Sequence, residues 1–174
     1  VNDVWIDLQP GARIGNVTIG QFGGSTQRVR ISSSTPRSAE IGGLTIGSDS
    51  TDITIDGLRL ISATSAFNMY DVSRVALLNS YVSYGGGYQV AAWEGGSGIG
   101  NRDLVIANTR VESNNSSSFR LQRLTRLIIV DSLGDTRKTG YATLRVEFNS
   151  AWPSAVSVPS ILVLPVTLST KNLS

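Results

Sequence analysis

The stretch Leu104-Val-Ile-Ala-Asn-Thr-Arg-Val111 contains the pattern that decides the fold of this chain. Leu104 and Ile106 are apolar and alternate with other residues, which indicates a β-strand with one buried face. Asn108 follows two positions later, and an apolar residue returns at Val111. Because asparagine tolerates a left-handed backbone, Asn108 is predicted to form a sharp bend between two strands.

The same pattern recurs along the chain. Residues 53–60, 75–82 and 127–134 repeat it with Gly, Asn or Asp at the bend, and weaker matches begin at Val4, Val29 and Ile161. The strand starts are 22 to 34 residues apart. A second ladder of apolar pairs interleaves with this first ladder, at Val17/Ile19, Leu44/Ile46, Phe67/Met69, Val90/Ala92, Phe119/Leu121 and Leu144/Val146.

Units of this size cannot bury an apolar face alone, but stacked copies share a continuous core. The two ladders therefore predict an all-β fold, a parallel β-helix with about six to seven coils of three short strands each. Residues 1–174 are interpreted as a single domain, and the uncovered ends suggest a piece of a longer chain or one subunit of an oligomer.

The coil length, the three strands and the one-residue bends at Asn79 and Asn108 resemble the right-handed parallel β-helices of the pectate lyase-like superfamily. The resemblance covers roughly residues 4 to 168 and concerns the fold. It implies right-handed coils, an internal stack of bend asparagines, and a sugar-binding cleft along the outer face of the second ladder. Members include polysaccharide lyases, glycoside hydrolases, phage tailspikes and adhesins, so the fold does not choose the function.

Two functions from this superfamily remain open. One is an extracellular β-helix that binds or processes polysaccharide, as a lyase or glycoside hydrolase if it is an enzyme. The alternative is a structural or receptor-binding module of a phage tailspike or surface adhesin, at the virion surface and without catalysis. Compact turns and the absence of His favour the alternative, whereas the aromatic and amide side chains along the second ladder favour contact with sugar.

The implied cleft defines the candidate site. Amides and guanidiniums can hydrogen-bond sugar hydroxyls or carboxylates, and flat aromatic rings can stack on sugar faces. On an ordinary solenoid the same positions would simply be solvated polar residues. The candidate substrate-binding residues are Asn68, Tyr70, Gln89, Trp93, Gln122 and Arg145.

Asp71, Glu94 and Arg120 are the candidate catalytic residues. Asp71 and Glu94 occupy equivalent positions of adjacent coils, so their carboxyls can lie roughly 5 Å apart, the separation found in retaining glycosidases. In a lyase reaction, Arg120 or Arg145 would act as the base or neutralise charge. Turn chemistry is the competing interpretation for both carboxylates. No cofactor is predicted, because calcium on Asp71 and Glu94 would lack the cluster of Asp residues typical of the superfamily.

Composition narrows the partners. The chain has no Cys and no His, a net charge of +2 and no Lys/Arg block, so neither a thiolate metal site nor nucleic acid is expected. No apolar run is long enough to span a membrane. Outward positions of the first ladder turn apolar at Ala76, Val105 and Ile128, which predicts a contact surface and a possible homotrimer.

Overall fold

The structure is a computed structural model that describes part of the 174 residues. The described residues are 3–20, 28–83, 87–93, 95, 100–114, 116, 118–136, 144–148 and 160–170. Within these ranges no helix is long and apolar enough to cross a bilayer.

Short strands separated by tight turns make up the described chain. In chain order they are β1 (Val4–Asp7), β2 (Arg13–Ile19), β3 (Val29–Ser32), β4 (Ala39–Ile46), β5 (Thr51–Asp56), β6 (Leu58–Ile61), β7 (Phe67–Tyr70), β8 (Ser73–Leu78), β9 (Tyr81–Ser83), β10 (Val90–Trp93), β11 (Arg102–Ala107), β12 (Arg110–Ser113), β13 (Phe119–Leu124), β14 (Arg126–Thr136), β15 (Leu144–Phe148) and β16 (Ser160–Thr170).

Parallel pairing between successive turns makes the chain a β-solenoid. The first ladder joins β1, β3, β5, β8, β11, β14 and β16, and the second joins β2, β4, β7, β10, β13 and β15. The register confirms both predicted repeats, with Leu104 opposite Val75 and Leu127, and Phe119 opposite Val90 and Leu144. Further parallel pairing links β4, β6, β9, β12 and β14 beyond the bends.

The solenoid has about 5 turns, fewer than the six to seven coils expected from the sequence. The first ladder has seven strand starts in the sequence, and a row of strands encloses fewer complete turns than it has members. Opening strands also pack less fully than the pattern suggests, because Val4 and Ile6 are exposed whereas their register partners Val29 and Ile31 are buried.

One continuous apolar core fills the interior of the solenoid. The residues predicted to point inward are all buried, which confirms the alternation on both ladders. These residues are Val75, Leu77, Val90, Leu104, Ile106, Phe119, Leu121, Leu127 and Ile129.

The bends adopt the predicted left-handed backbone. Positive φ angles occur at Gly57 (69°), Asn79 (50°), Asn108 (46°) and Asp131 (47°). The Asn108 Nδ2 donates to Asn79 Oδ1 at 2.8 Å, so the two amides bond to each other across turns as expected. Asn108 is nevertheless exposed, so this amide pair lies at the surface rather than inside the solenoid.

Hydroxyl side chains form a buried ladder directly after the bends. Ser80, Thr109 and Ser132 each donate to the carbonyl two residues earlier, at 2.6–3.0 Å. Each also accepts a backbone N–H from the preceding turn: Leu58 N to Ser80 (3.3 Å), Ser80 N to Thr109 (3.4 Å) and Thr109 N to Ser132 (3.2 Å). In each turn of the solenoid, a small hydroxyl therefore accepts one backbone N–H directly after the bend, where the hydrogen bonding between strands is interrupted.

Charged residues alternate in sign immediately before the apolar pairs of the first ladder. Arg28 bonds to Asp3 (2.6 Å), Arg74 bonds to Asp52 through two nitrogens (2.6 Å each), and Arg126 bonds to Asp103. This charge column, read from turn to turn, is Asp3, Arg28, Asp52, Arg74, Asp103 and Arg126.

Hydrogen bonding to Arg74 lowers the pKa of Asp52, with a smaller electrostatic contribution from Arg28 on the other side. Neighbouring pairs of the charge column therefore interact with one another as well as internally.

Candidate functional site

Aromatic, amide and guanidinium side chains meet on the outer face of the second ladder. The register of β7, β10 and β13 places Asn68, Ala91 and Arg120 side by side on successive turns. Trp93 lies opposite Tyr70 one turn away. Neighbouring strands in a sheet are about 4.8 Å apart, so side chains of adjacent turns touch on this face.

Arg120 lies against two aromatic rings. Its Cζ is 4.9 Å from the centre of the Trp93 ring and 4.7 Å from the centre of the Tyr88 ring. Its Nη1 also donates to the Tyr88 hydroxyl at 2.7 Å. The two rings contact edge to face, with centres 5.5 Å apart and planes at 67°. Both geometries fall within the range where cation–π and aromatic pairs attract.

Asn68 fixes the other end of the indole. Its Oδ1 accepts a hydrogen bond from Trp93 Nε1 at 3.2 Å, and its Nδ2 donates to Ser65 O at 3.4 Å. All four side chains are half-buried, so they remain partly accessible to a ligand. Asn68, Tyr88, Trp93 and Arg120 are hereafter called the Trp93 cluster.

Ala91 is a buried residue on the same face of the sheet as the cluster. It lies between Asn68 and Arg120 in the register and so points to the outer face, yet it is fully buried. A methyl group leaves room for the larger side chains of the adjacent turns to close over it. The small side chain of Ala91 therefore leaves space for the larger side chains of the cluster.

A buried amide side chain, that of Asn101, holds the backbone of Trp93. Asn101 is fully buried, and its Nδ2 donates to the carbonyls of Trp93 (3.0 Å) and Gln122 (2.9 Å). Its Oδ1 accepts the backbone N–H of Val72 at 3.3 Å. One side chain thus joins the end of β10 and Gln122 of β13 to the turn before β8.

The remaining candidate substrate-binding residues differ in how much of their side chain is accessible. Tyr70 and Gln122 are half-buried beside the cluster. The backbone of Arg145 pairs with Arg120, but its side chain lies outside the described residues. Gln89 is fully buried, with its Nε2 donating to Gly87 O at 2.7 Å, so it lies beneath the surface rather than on it.

Of the two candidate catalytic carboxylates, only Asp71 can be located, because Glu94 lies outside the described residues. Asp71 is 3% exposed and has a positive φ of 45°. Its Oδ1 accepts the backbone N–H of Gly100 at 3.0 Å, and a Cβ added at Gly95 would lie 2.8 Å from its Oδ2. Backbone thus crowds this carboxyl on both sides, which is the geometry of a turn-stabilising aspartate.

Two residues of the site were missed from the sequence. Tyr88 lies in the turn before β10, where alternation gives no information about side-chain direction. The same break explains the burial of Gln89, since β10 begins only at Val90. Asn101 has no counterpart at the same position of other turns, so the repeat does not reveal it.

No cluster of three or more potential metal ligands occurs in the part of the chain that the structure describes. Comparisons with protein-family models, with curated proteins and with solved structures find no match to this chain. The class that the fold defines is a parallel β-solenoid.

Proposed function

We propose that this solenoid binds a polysaccharide along the outer face of its second ladder, across successive turns. The observation that carries the proposal is the Trp93 cluster, in which an indole, a phenol, an amide and a guanidinium converge. An indole face covers a sugar ring with little loss of conformational entropy, while an amide and a guanidinium supply directed hydrogen bonds to hydroxyls or carboxylates.

The proposal includes the finer architecture implied by the resemblance. The coils are right-handed and contain three strands each, as in the pectate lyase-like superfamily. Three runs of parallel pairing and left-handed bends such as Asn79 and Asn108 support it. Proteins of that superfamily meet their polysaccharides outside cells. The proposal therefore includes an extracellular location or a location at a virion surface.

Binding is favoured over cleavage. Asp71 is buried and crowded by the backbone of Gly95 and Gly100, a position that favours a structural role over proton transfer. Arg120 bonds to Tyr88 and lies against Trp93, which suits recognition of an anionic group. Arginine is also a poor general base because its pKa is very high.

Trp93→Ala tests this proposal. After a glycan array has identified a ligand, the variant is expected to bind it at least about tenfold more weakly, because the stacking surface is removed. Calorimetric titration measures the affinity, and circular dichroism verifies that the variant is folded. Tyr81→Ala, a half-buried aromatic on β9 outside the cluster, is the matched control and should bind like the parent. Unchanged affinity of a folded Trp93→Ala protein would contradict the proposal.

A second candidate function is a structural or receptor-binding module that assembles from several copies. The observation in its favour is Ile128, which is 38% exposed on the outer face of β14. Ala76 and Val105 lie next to it in register on the preceding turns and are half-buried. An apolar column on consecutive turns favours side-by-side packing of solenoids, for example as a trimer.

Sedimentation tests the assembly proposal. The parent protein is expected to form a trimer, and Val105→Lys and Ile128→Lys are expected to shift it toward monomer, because a buried unpaired charge opposes association. Arg110→Lys, an exposed position on β12, is the control and should leave the assembly unchanged. A parent protein that is monomeric at micromolar to millimolar concentrations would contradict this function.

A further inference from the structure

A shallow depression lies on the outer face of the first ladder, away from the residues of the Trp93 cluster. Its volume is about 270 Å³, which accommodates a single sugar ring rather than a long peptide. The side chains that line it and carry the argument are Trp5, Arg28, Arg30, Asp52, Thr54 and Arg74.

Among the side chains whose burial the structure describes, Trp5 is the most exposed large apolar one, at 75%. It lies within β1 and not in a turn, and the register places it beside Arg30 on the next turn, with Thr54 following. Exposed tryptophan leaves a large apolar surface in water, and an indole with a free face beside polar groups is a common sugar platform.

Three guanidiniums line the same depression as this indole, and each has an acidic partner. Arg28 pairs with Asp3, Arg74 with Asp52, and Arg30 bonds to Asp56 at 2.8 Å. Exposed ion pairs of this type contribute little to stability, so a ligand carboxylate can compete for them at little cost. A guanidinium also has five N–H donors and can serve two carboxylates at once.

Arginine and aspartate side chains together favour a ligand that carries both a carboxylate and hydroxyl groups. A uronate ring carries one carboxylate, which suits arginine, and several hydroxyls, which can donate to the Asp52 carboxylate in the lining of the depression. A phosphodiester backbone would bring repeated negative charge close to the same aspartate. We infer that this depression binds one uronate residue of an acidic saccharide, with the ring on Trp5 and the carboxylate on Arg30 and its neighbouring arginines.

This site shares no residue with the Trp93 cluster, so either can exist without the other. The test is calorimetric titration of the full chain with short oligomers of galacturonate, guluronate or glucuronate, compared with methyl-esterified galacturonate oligomers. Trp5→Ala is expected to lower affinity for the acidic oligomer about tenfold or more. Arg30→Gln should weaken acidic binding severalfold and leave binding of the esterified oligomer unchanged.

Two matched controls separate the site from other effects. Arg126→Gln removes an exposed, ion-paired arginine of the charge column that does not line the depression, and it should bind like the parent. Trp93→Ala reports on the other surface, so a loss seen with Trp93→Ala but not with Trp5→Ala would overturn this inference and leave the proposed function intact. Absence of millimolar binding to every acidic oligomer, or Trp5-dependent binding that prefers single-stranded DNA, would also overturn it.

Discussion

Truncation of Phe119 to alanine is expected to lower the free energy of unfolding by about 3–5 kcal/mol. Phe119 is 1% exposed in β13, where it packs in the core between Val90 and Leu144 of the adjacent turns. The cavity left by the ring is closed to water, and the stacked strands around it cannot move easily to fill it. The loss therefore combines the burial of the ring with the cost of the cavity.

Urea unfolding followed by circular dichroism measures this effect. Ile61→Ala is the matched control, because Ile61 lies on β6 at a half-buried position and should lose less than about 1 kcal/mol. Phe119→Ala with a loss as small as that of the control would mean that the second ladder does not face the core.

Replacement of Asn101 by leucine should cost several kcal/mol despite the similar size of the two side chains. The substitution leaves the buried N–H of Val72 without its side-chain acceptor, and it removes a donor from the carbonyls of Trp93 and Gln122. Each buried polar group left unsatisfied costs about 1–3 kcal/mol. The same bonds hold the end of β10, so the orientation of Trp93 should change as well.

Thermal unfolding and the near-ultraviolet circular dichroism of the tryptophans measure the two effects separately. Asn114→Leu is the control, because Asn114 is exposed after β12 and should change stability by no more than about 0.5 kcal/mol. If Asn101→Leu melts with the parent, the amide does not join the turns in the way described above.

The sequence predicted the stacking of the turns well because every turn contributes equivalent apolar pairs. Leu104 and Phe119 face the core with the register expected from spacing alone. The bends were also predictable, since few residues accept the left-handed backbone found at Asn79 and Asn108. Alternation states which face a residue occupies, but not whether anything covers that face, as the exposed Ile6 demonstrates.

The candidate site was predicted less completely, and the reason is local. Trp93 lies within β10, where alternation holds, and it is on the outer face as expected. Gln89 and Tyr88 precede the strand, so a pattern with a period of two assigns them no direction. Asn101 acts through contacts with three different segments, and such contacts follow from the stacked structure rather than from any spacing in the chain.

The charge column has a period of two turns, so the one-turn repeat of apolar residues does not reveal it. Asp52 and Arg74 occupy equivalent positions of adjacent turns but carry opposite charges. Only the stacked register places them next to each other, so that opposite charges meet at each of the three pairs.

The two-turn alternation of the charge column has a consequence for how such a chain can lengthen during evolution. Tandem duplication of a single turn would place Arg74 beside a second arginine or Asp52 beside a second aspartate, where like charges repel. Duplication of two turns together restores Asp next to Arg at every new junction. Addition of two turns is therefore expected to be tolerated better than addition of one turn, because only the two-turn unit preserves the alternation of Asp and Arg.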